Sequence, residues 1–277
     1  VEQPCVGVPS KQTTPGGVQL SSVLRRAAYA FQYSEYNLFG SGLINSQSFI
    51  IHDRNVTDRV NRLAPFLRYD SDPYPAVVDG TVQWILDAYT ISDRYPYAQE
   101  ANTDQLSPGG GLNASFNYVR NSVKAVVDAF TGDVTFYVID PNDPITAAWS
   151  KAFPKLFTDV SQAPAELVKH FRYPEDLFRV QTNVYGRYQF DDSTLFFNRD
   201  AAWSVAQAPS SEPDSVTGVV GAVGGSAADG INVRDASVLR FEPYYTMFHG
   251  GDGLGMPMFS MLRPFVPFSA DNARKEL

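Results

Sequence analysis

Carboxylates gathered in turns are the residues of this 277-residue chain whose type and spacing come nearest to chemistry. Asp70 and Asp72 lie in the run Asp70-Ser71-Asp72-Pro73, and Asp140 and Asp143 in Asp140-Pro141-Asn142-Asp143. With Asp191-Asp192 they offer the hard oxygen ligands that a calcium ion accepts. None of these runs follows the alternating calcium loop with a bidentate Glu at its end. Helix caps and turns use the same residue type, and for Asp143 before Pro144 that use is sufficient. Asp70, Asp72, Asp140 and Asp143 therefore stand as candidate metal ligands, behind a structural reading of the same side chains.

Other chemistry is less well provided for. His52, His170 and His249 have none of the spacings that bring two imidazoles to one metal, and Cys5 is the single cysteine. Gly40-Ser41-Gly42 lacks the spacing of a nucleophile elbow, and the glycines from Gly218 to Gly225 are not followed by the Lys and Ser or Thr of a phosphate loop. No cofactor is implied. Tyrosine next to proline is the remaining polar signal: Tyr74 in Asp72-Pro73-Tyr74-Pro75, and Tyr95 and Tyr97 around Pro96. Such loops are stiff and carry rings with an apolar body and a polar tip, suited to glycans, lipids or partner proteins. They serve equally to pack long loops on a sheet. Tyr74, Tyr95 and Tyr97 are thus candidate ligand-binding residues.

Composition narrows the partners. The formal charge is −8, the wrong sign for a surface that collects phosphate backbones, so no nucleic acid is expected. Nowhere is there the run of about 18 to 20 apolar residues that spans a bilayer. Beginning at Val1 and lacking a signal peptide, the chain reads as a piece of something longer.

The elements that must hold these residues point to an α+β fold. Residues 1–20, rich in Pro, Gly and Thr, read as an extended leader, and 21–277 as one module. A first helix is expected from Ser21 or Ser22, with Val23, Leu24, Ala27, Ala28 and Phe31 on an inward face and Arg25 and Arg26 turned outward. A second is expected at residues 56–63, capped by Asn55 and stopped by Pro65. Asp79-Gly80 joins strands at 76–78 and 81–89, because a tight hairpin turn needs positive φ. Thr131-Gly132-Asp133 repeats the arrangement between 115–130 and 134–139. Pro144 opens a helix that directs Ile145, Ala148, Trp149 and Phe153 to a core, and further helices are expected at 164–171 and after Tyr173-Pro174-Glu175-Asp176. Residues 204–231, rich in Ser, Ala and Gly, read as a flexible loop. Residues 233–248 and 256–268 read as closing strands joined by a Gly-rich turn. Antiparallel sheets built from hairpins, with helices around them, are the expected architecture.

A resemblance covers most of the chain. Residues 117–203, the stretch RVNRLAPFLRYDSDPYPAVVDGTVQWILDAYTISDRYPY, the segment LRRAAYAFQYSEYNLFGSG and Glu242-Pro243-Tyr244-Tyr245 are similar, in the same order, to motifs of uncharacterised protein family 0182. That family is common in actinobacteria and cyanobacteria. Its members resemble a bundle of transmembrane helices followed by a large soluble part with no established activity. The resemblance implies a domain on the extracytoplasmic side of the plasma membrane, soluble once detached, whose partners are N-terminal transmembrane helices and an envelope lipid, glycan or protein. It implies no catalytic residues. The resulting expectation is a non-catalytic domain that binds an envelope component or supports transport by its membrane part. The alternative is a metal-assisted hydrolase of envelope lipids or glycans, working from the acidic loops.

Overall fold

The computed structural model describes residues 17–101, 106, 110–188, 191–198, 203–206, 240–249 and 257–267. In chain order these form β1 (Val18–Gln19), α1 (Val23–Gln32), α2 (Asn37–Gly40), β2 (Phe49–Ile50), α3 (Val56–Leu63) and β3 (Arg68–Tyr69). The long strands follow: β4 (Tyr74–Val78), β5 (Thr81–Ser92), β6 (Tyr118–Asp128) and β7 (Val134–Val138). Next come α4 (Pro144–Ala152), β8 (Phe157–Asp159), α5 (Ala165–Val168), α6 (Glu175–Tyr188) and α7 (Ser193–Asn198). The last are β9 (Trp203–Val205), β10 (Tyr244–Phe248), β11 (Met258–Leu262) and β12 (Phe265–Pro267). The fold is α+β. Most of the leader at 1–20 and of the loop at 204–231 lies outside the described residues, as does the 250–256 turn.

Two compact units share the long strands β5 and β6. The first comprises the chain to Leu67 with Pro73–Ala88 and Ser122–Phe171. In it Asp79 and Gly80 sit at φ 50° and 78°, closing the β4–β5 hairpin with Val78 opposite Thr81. Tyr74, Ala76 and Val78 alternate inward from β4 and pack with Ile85, Val126 and Leu167. Six consecutive residues, 85–90, are buried in β5, and 122–127 in β6, the mark of strands covered on both faces. The β6–β7 hairpin turns through Gly132 at φ 75°. α4 then crosses over to bring β8 parallel to β7, Phe136 beside Phe157, so the sheet is mixed.

Local capping is as the sequence dictates. Asn55 accepts the N–H groups of Thr57 and Asp58 at the start of α3, and Asp143 those of Ile145 and Thr146 at the start of α4. The face of α4 differs from expectation: Thr146 is the buried residue, and Ala148 and Phe153 are exposed. Trp149 stacks on Phe66 at 4.1 Å instead, with Phe153 beyond it at 5.9 Å. The 164–171 helix shortens to the single turn of α5.

The second unit comprises Arg68–Asp72, Tyr89–Asn121 and the chain from Arg172. Its core joins Tyr89, Leu106, Leu112 and Phe116 to Leu177 and Val180 of α6. β10 and β11 pair antiparallel from Tyr244–Leu262 to Phe248–Met258. Beyond Pro264 the chain leaves that partner, and β12 pairs with β9.

Candidate functional site

The acidic segment of the second unit is closed on itself. The carboxylate of Asp70 is buried and accepts the backbone N–H of Asp72 at 2.9 Å, the N–H of Asp176 at 3.0 Å and the Tyr89 hydroxyl. Asp176 returns the contact: one oxygen accepts the Ser71 N–H and the other the Ser71 hydroxyl, both at 3.0 Å. Two carboxylates thus clasp segment 70–72 to the first turn of α6, where backbone N–H groups lack helical partners. Burial, and then the neighbouring Asp70, push the Asp176 carboxyl up to about 6. Burial and Asp70 likewise raise Asp72, and burial raises Glu175.

Cations border this cluster. Arg179 pairs with Glu175 and, at 2.9 Å, with Glu242. Arg263 is buried against α6, donating to the Thr182 hydroxyl at 2.7 Å and to the Phe241 carbonyl at 3.0 Å, and burial lowers its pKa to about 10. Arg172 lies over the rings of Tyr245 and Phe259, at 5.1 and 5.9 Å. A carboxyl held near 6 suits acid–base work. Here both of its oxygens are occupied by protein donors, and the arrangement serves to lock loop to helix.

The other predicted residues separate. Asp140 and Asp143 belong to the first unit. Asp140 accepts the Asn142 N–H, and Asp143 is fully buried, bonded to the Ser122 and Thr146 hydroxyls at 2.8 and 2.7 Å. Among the described residues no three His, Cys, Asp or Glu side chains are grouped so as to hold a metal ion. Tyr74 is a core residue at 4% exposure. Tyr95 is half-exposed and stacks on Tyr118, and Tyr97, at φ 59°, stands free in solvent.

The feature that sequence reasoning misplaced is α1. Its apolar stripe, Val23, Leu24, Ala27, Ala28 and Phe31 at helical spacing, is expected inward. Instead Leu24 is 84% and Phe31 89% exposed, and Ala30 is the buried residue. Arg26, expected outward, is partly buried and donates to the Ile44 carbonyl at 3.3 Å. The helix is therefore inverted: Ser22 caps it, and Tyr33 continues the last turn, but its apolar side faces solvent. The exposure continues through α2, which packs on α1, and the residues on either side of it, with Tyr36 83%, Phe39 56% and Leu43 91% exposed. A fully solvated stripe of this kind costs about 25 cal/mol for each Å² left uncovered, and exposed patches of apolar side chains mark interaction surfaces. The stripe was legible in the 24, 28, 31 spacing; its direction was not.

The family described as Uncharacterised protein family (UPF0182) matches residues 8–276. A UPF0182 protein of Methanospirillum hungatei is 40% identical over 256 residues, 92% of this chain and 25% of its own length. One of Rhodococcus jostii is 45% identical over 267 residues, 94% of this chain and 24% of its own. One of Micrococcus luteus is 37% identical over 267 residues, 94% and 23%. The chain thus spans about a quarter of the length of these relatives. No solved structure matches. Among the described residues no helix is long and apolar enough to cross a membrane.

Proposed function

Starting from the premise that this chain belongs to the uncharacterised protein family UPF0182, we propose that it is a non-catalytic domain working within a longer protein, docked there through the inverted face of α1 and α2. The observation that carries this reading is the solvent exposure of Leu24 and Phe31 on α1, a helix that Ser22 caps, and of Phe39 on α2 and Leu43 just after it. A sequence that places a regular apolar stripe on a helix and leaves it bare is completed by another surface. Asp176, the carboxyl pushed up to about 6, supports the same reading, because both of its oxygens serve the fold.

In this reading the domain lies on the extracytoplasmic side of the plasma membrane, attached to membrane helices of the same polypeptide, and binds an envelope component or supports transport by that membrane part. The support is the motif resemblance and the length of the relatives. Location is tested with a cysteine in place of Tyr97, which is fully exposed. In intact cells making the longer polypeptide, an impermeant maleimide labels this position if the domain faces outward. Labelling that appears only after the cells are broken contradicts the reading.

A further inference from the structure

We infer that the clasp between Asp70 and Asp176 is a proton-operated latch, closed while the two carboxyls carry one charge between them and loosened when they carry two. Every group involved belongs to the second unit. Both side chains are buried, Asp70 at 3% and Asp176 at 0% exposure. The hydrogen bonds they accept come from neutral donors. Asp70 accepts from the N–H groups of Asp72 and Asp176 and from the Tyr89 hydroxyl, and Asp176 from the N–H and hydroxyl of Ser71. One oxygen of Asp70 rests on the backbone N–H of Asp176 itself. Two carboxylates placed so close in a buried setting resist being ionised together.

The shared proton has a place to sit. Among the described residues Asp176 Oδ1 is bonded to the Ser71 hydroxyl alone, which donates to a carboxylate and accepts from a carboxylic acid, so both forms of the side chain stay paired. Asp70 differs, because each of its oxygens accepts a backbone N–H, a set that suits a carboxylate. Facing the pair are Asp72 from the same segment, Tyr89 from β5, Glu175 and Arg179 from α6, and Arg172 ahead of α6. Both cations are engaged, Arg179 with Glu175 and Glu242 and Arg172 over the rings of Tyr245 and Phe259, and they offset the repulsion only in part. Burial, and then Asp70, raise the Asp176 carboxyl from 3.8 to about 6, so the second charge arrives as the pH rises through that value. A carboxyl raised by closing favours the closed form in acid and loses that preference as the pH climbs. With 3.8 for the open form and about 6 for the closed one, the ratio of open to closed grows about ten-fold between pH 5 and pH 8. What opens is segment 70–72 against the first turn of α6, where the N–H groups of Ser71, Asp72 and Asp176 lose their acceptors.

The test is amide hydrogen exchange of the 277-residue chain between pH 5 and pH 8, each rate divided by that of an unstructured peptide at the same pH. Wild type, Asp176→Asn and Asp72→Asn are compared. In the wild type the Ser71, Asp72 and Asp176 amides are expected to exchange faster than those of β5 and β6 and to ignore low urea, the marks of a local opening. Their opening ratio rises about ten-fold over this pH range. Asp176→Asn flattens the rise, and Asp72→Asn, which removes a neighbouring acid and leaves the pair, keeps it. Should Asp176→Asn fail to fold, the other two proteins decide, since a rise that disappears in Asp72→Asn belongs to Asp72 and overturns the inference. Protection that is flat with pH, exchange of the three amides at the pace of β5 and β6, or a rise that survives in Asp176→Asn also overturns it, and the clasp is then a fixed part of the fold.

Discussion

Replacing Asp176 with asparagine removes one titration while keeping a side chain of the same shape, able to accept the Ser71 N–H and to donate to its hydroxyl. In the folded chain the Asp176 carboxyl is pushed from 3.8 up to about 6 by burial and by Asp70. A value raised on folding stabilises fully below 3.8 and loses that stabilisation as the pH rises through about 6. The whole effect is about 3 kcal/mol, of which about 1.4 kcal/mol separates pH 5 from pH 8. The carboxyls that the fold holds low, Asp53 beside His52 and Asp159 bonded to Ser161, change protonation below this window, and Asp72 and Glu175, which burial raises, are present in both proteins, so the comparison with the asparagine variant isolates Asp176. Urea unfolding at pH 5 and pH 8 measures it. The wild type gains on the asparagine variant by about 1 to 1.5 kcal/mol on going from pH 8 to pH 5. Parallel stability curves for the two proteins, at both pH values, would refute the argument that the clasp holds this carboxyl high.

Two further substitutions test the first unit. Lys124 and Asp87 form an ion pair at 2.5 Å, both almost wholly buried, with Lys124 over the Phe171 ring. Lys124→Met alone costs about 3 to 5 kcal/mol in urea unfolding because it strands the Asp87 charge, and adding Asp87→Leu recovers most of the loss. Asp143→Ala costs about 2 to 4 kcal/mol, since it removes the α4 cap and leaves the buried Ser122 hydroxyl without this acceptor. A loss under about 1 kcal/mol would mean that water or a neighbour replaces the cap.

How much of this the sequence reveals depends on how local each feature is. Asn55, Asp79-Gly80, Asp143 and Pro144 act on backbone within a few residues, so the helix starts and the hairpin turn were legible and stand where expected. The burial of Tyr74 was also available, since Tyr74, Ala76 and Val78 alternate on β4, but the neighbouring prolines drew attention to a loop. The three-residue β8 is too short to announce its parallel pairing. The Asp70–Asp176 clasp joins residues 106 apart in the chain and needs the fold to bring them together. For α1 the spacing tells which side is apolar, and only the remaining structure tells whether anything in the chain covers it. Here nothing among the described residues covers Leu24 or Phe31. That inversion moves the functional argument away from the acidic loops and towards a docking face.

Maleimide labelling at position 31 tests that face most directly. With Phe31→Cys in a chain whose Cys5 is changed to serine, the new thiol stands on an exposed helix side and reacts at the rate of a free peptide thiol. In the longer polypeptide the account predicts that its reaction slows by roughly an order of magnitude, while a cysteine at position 97 keeps its rate. Equal labelling of position 31 in the two settings would contradict the docking of α1.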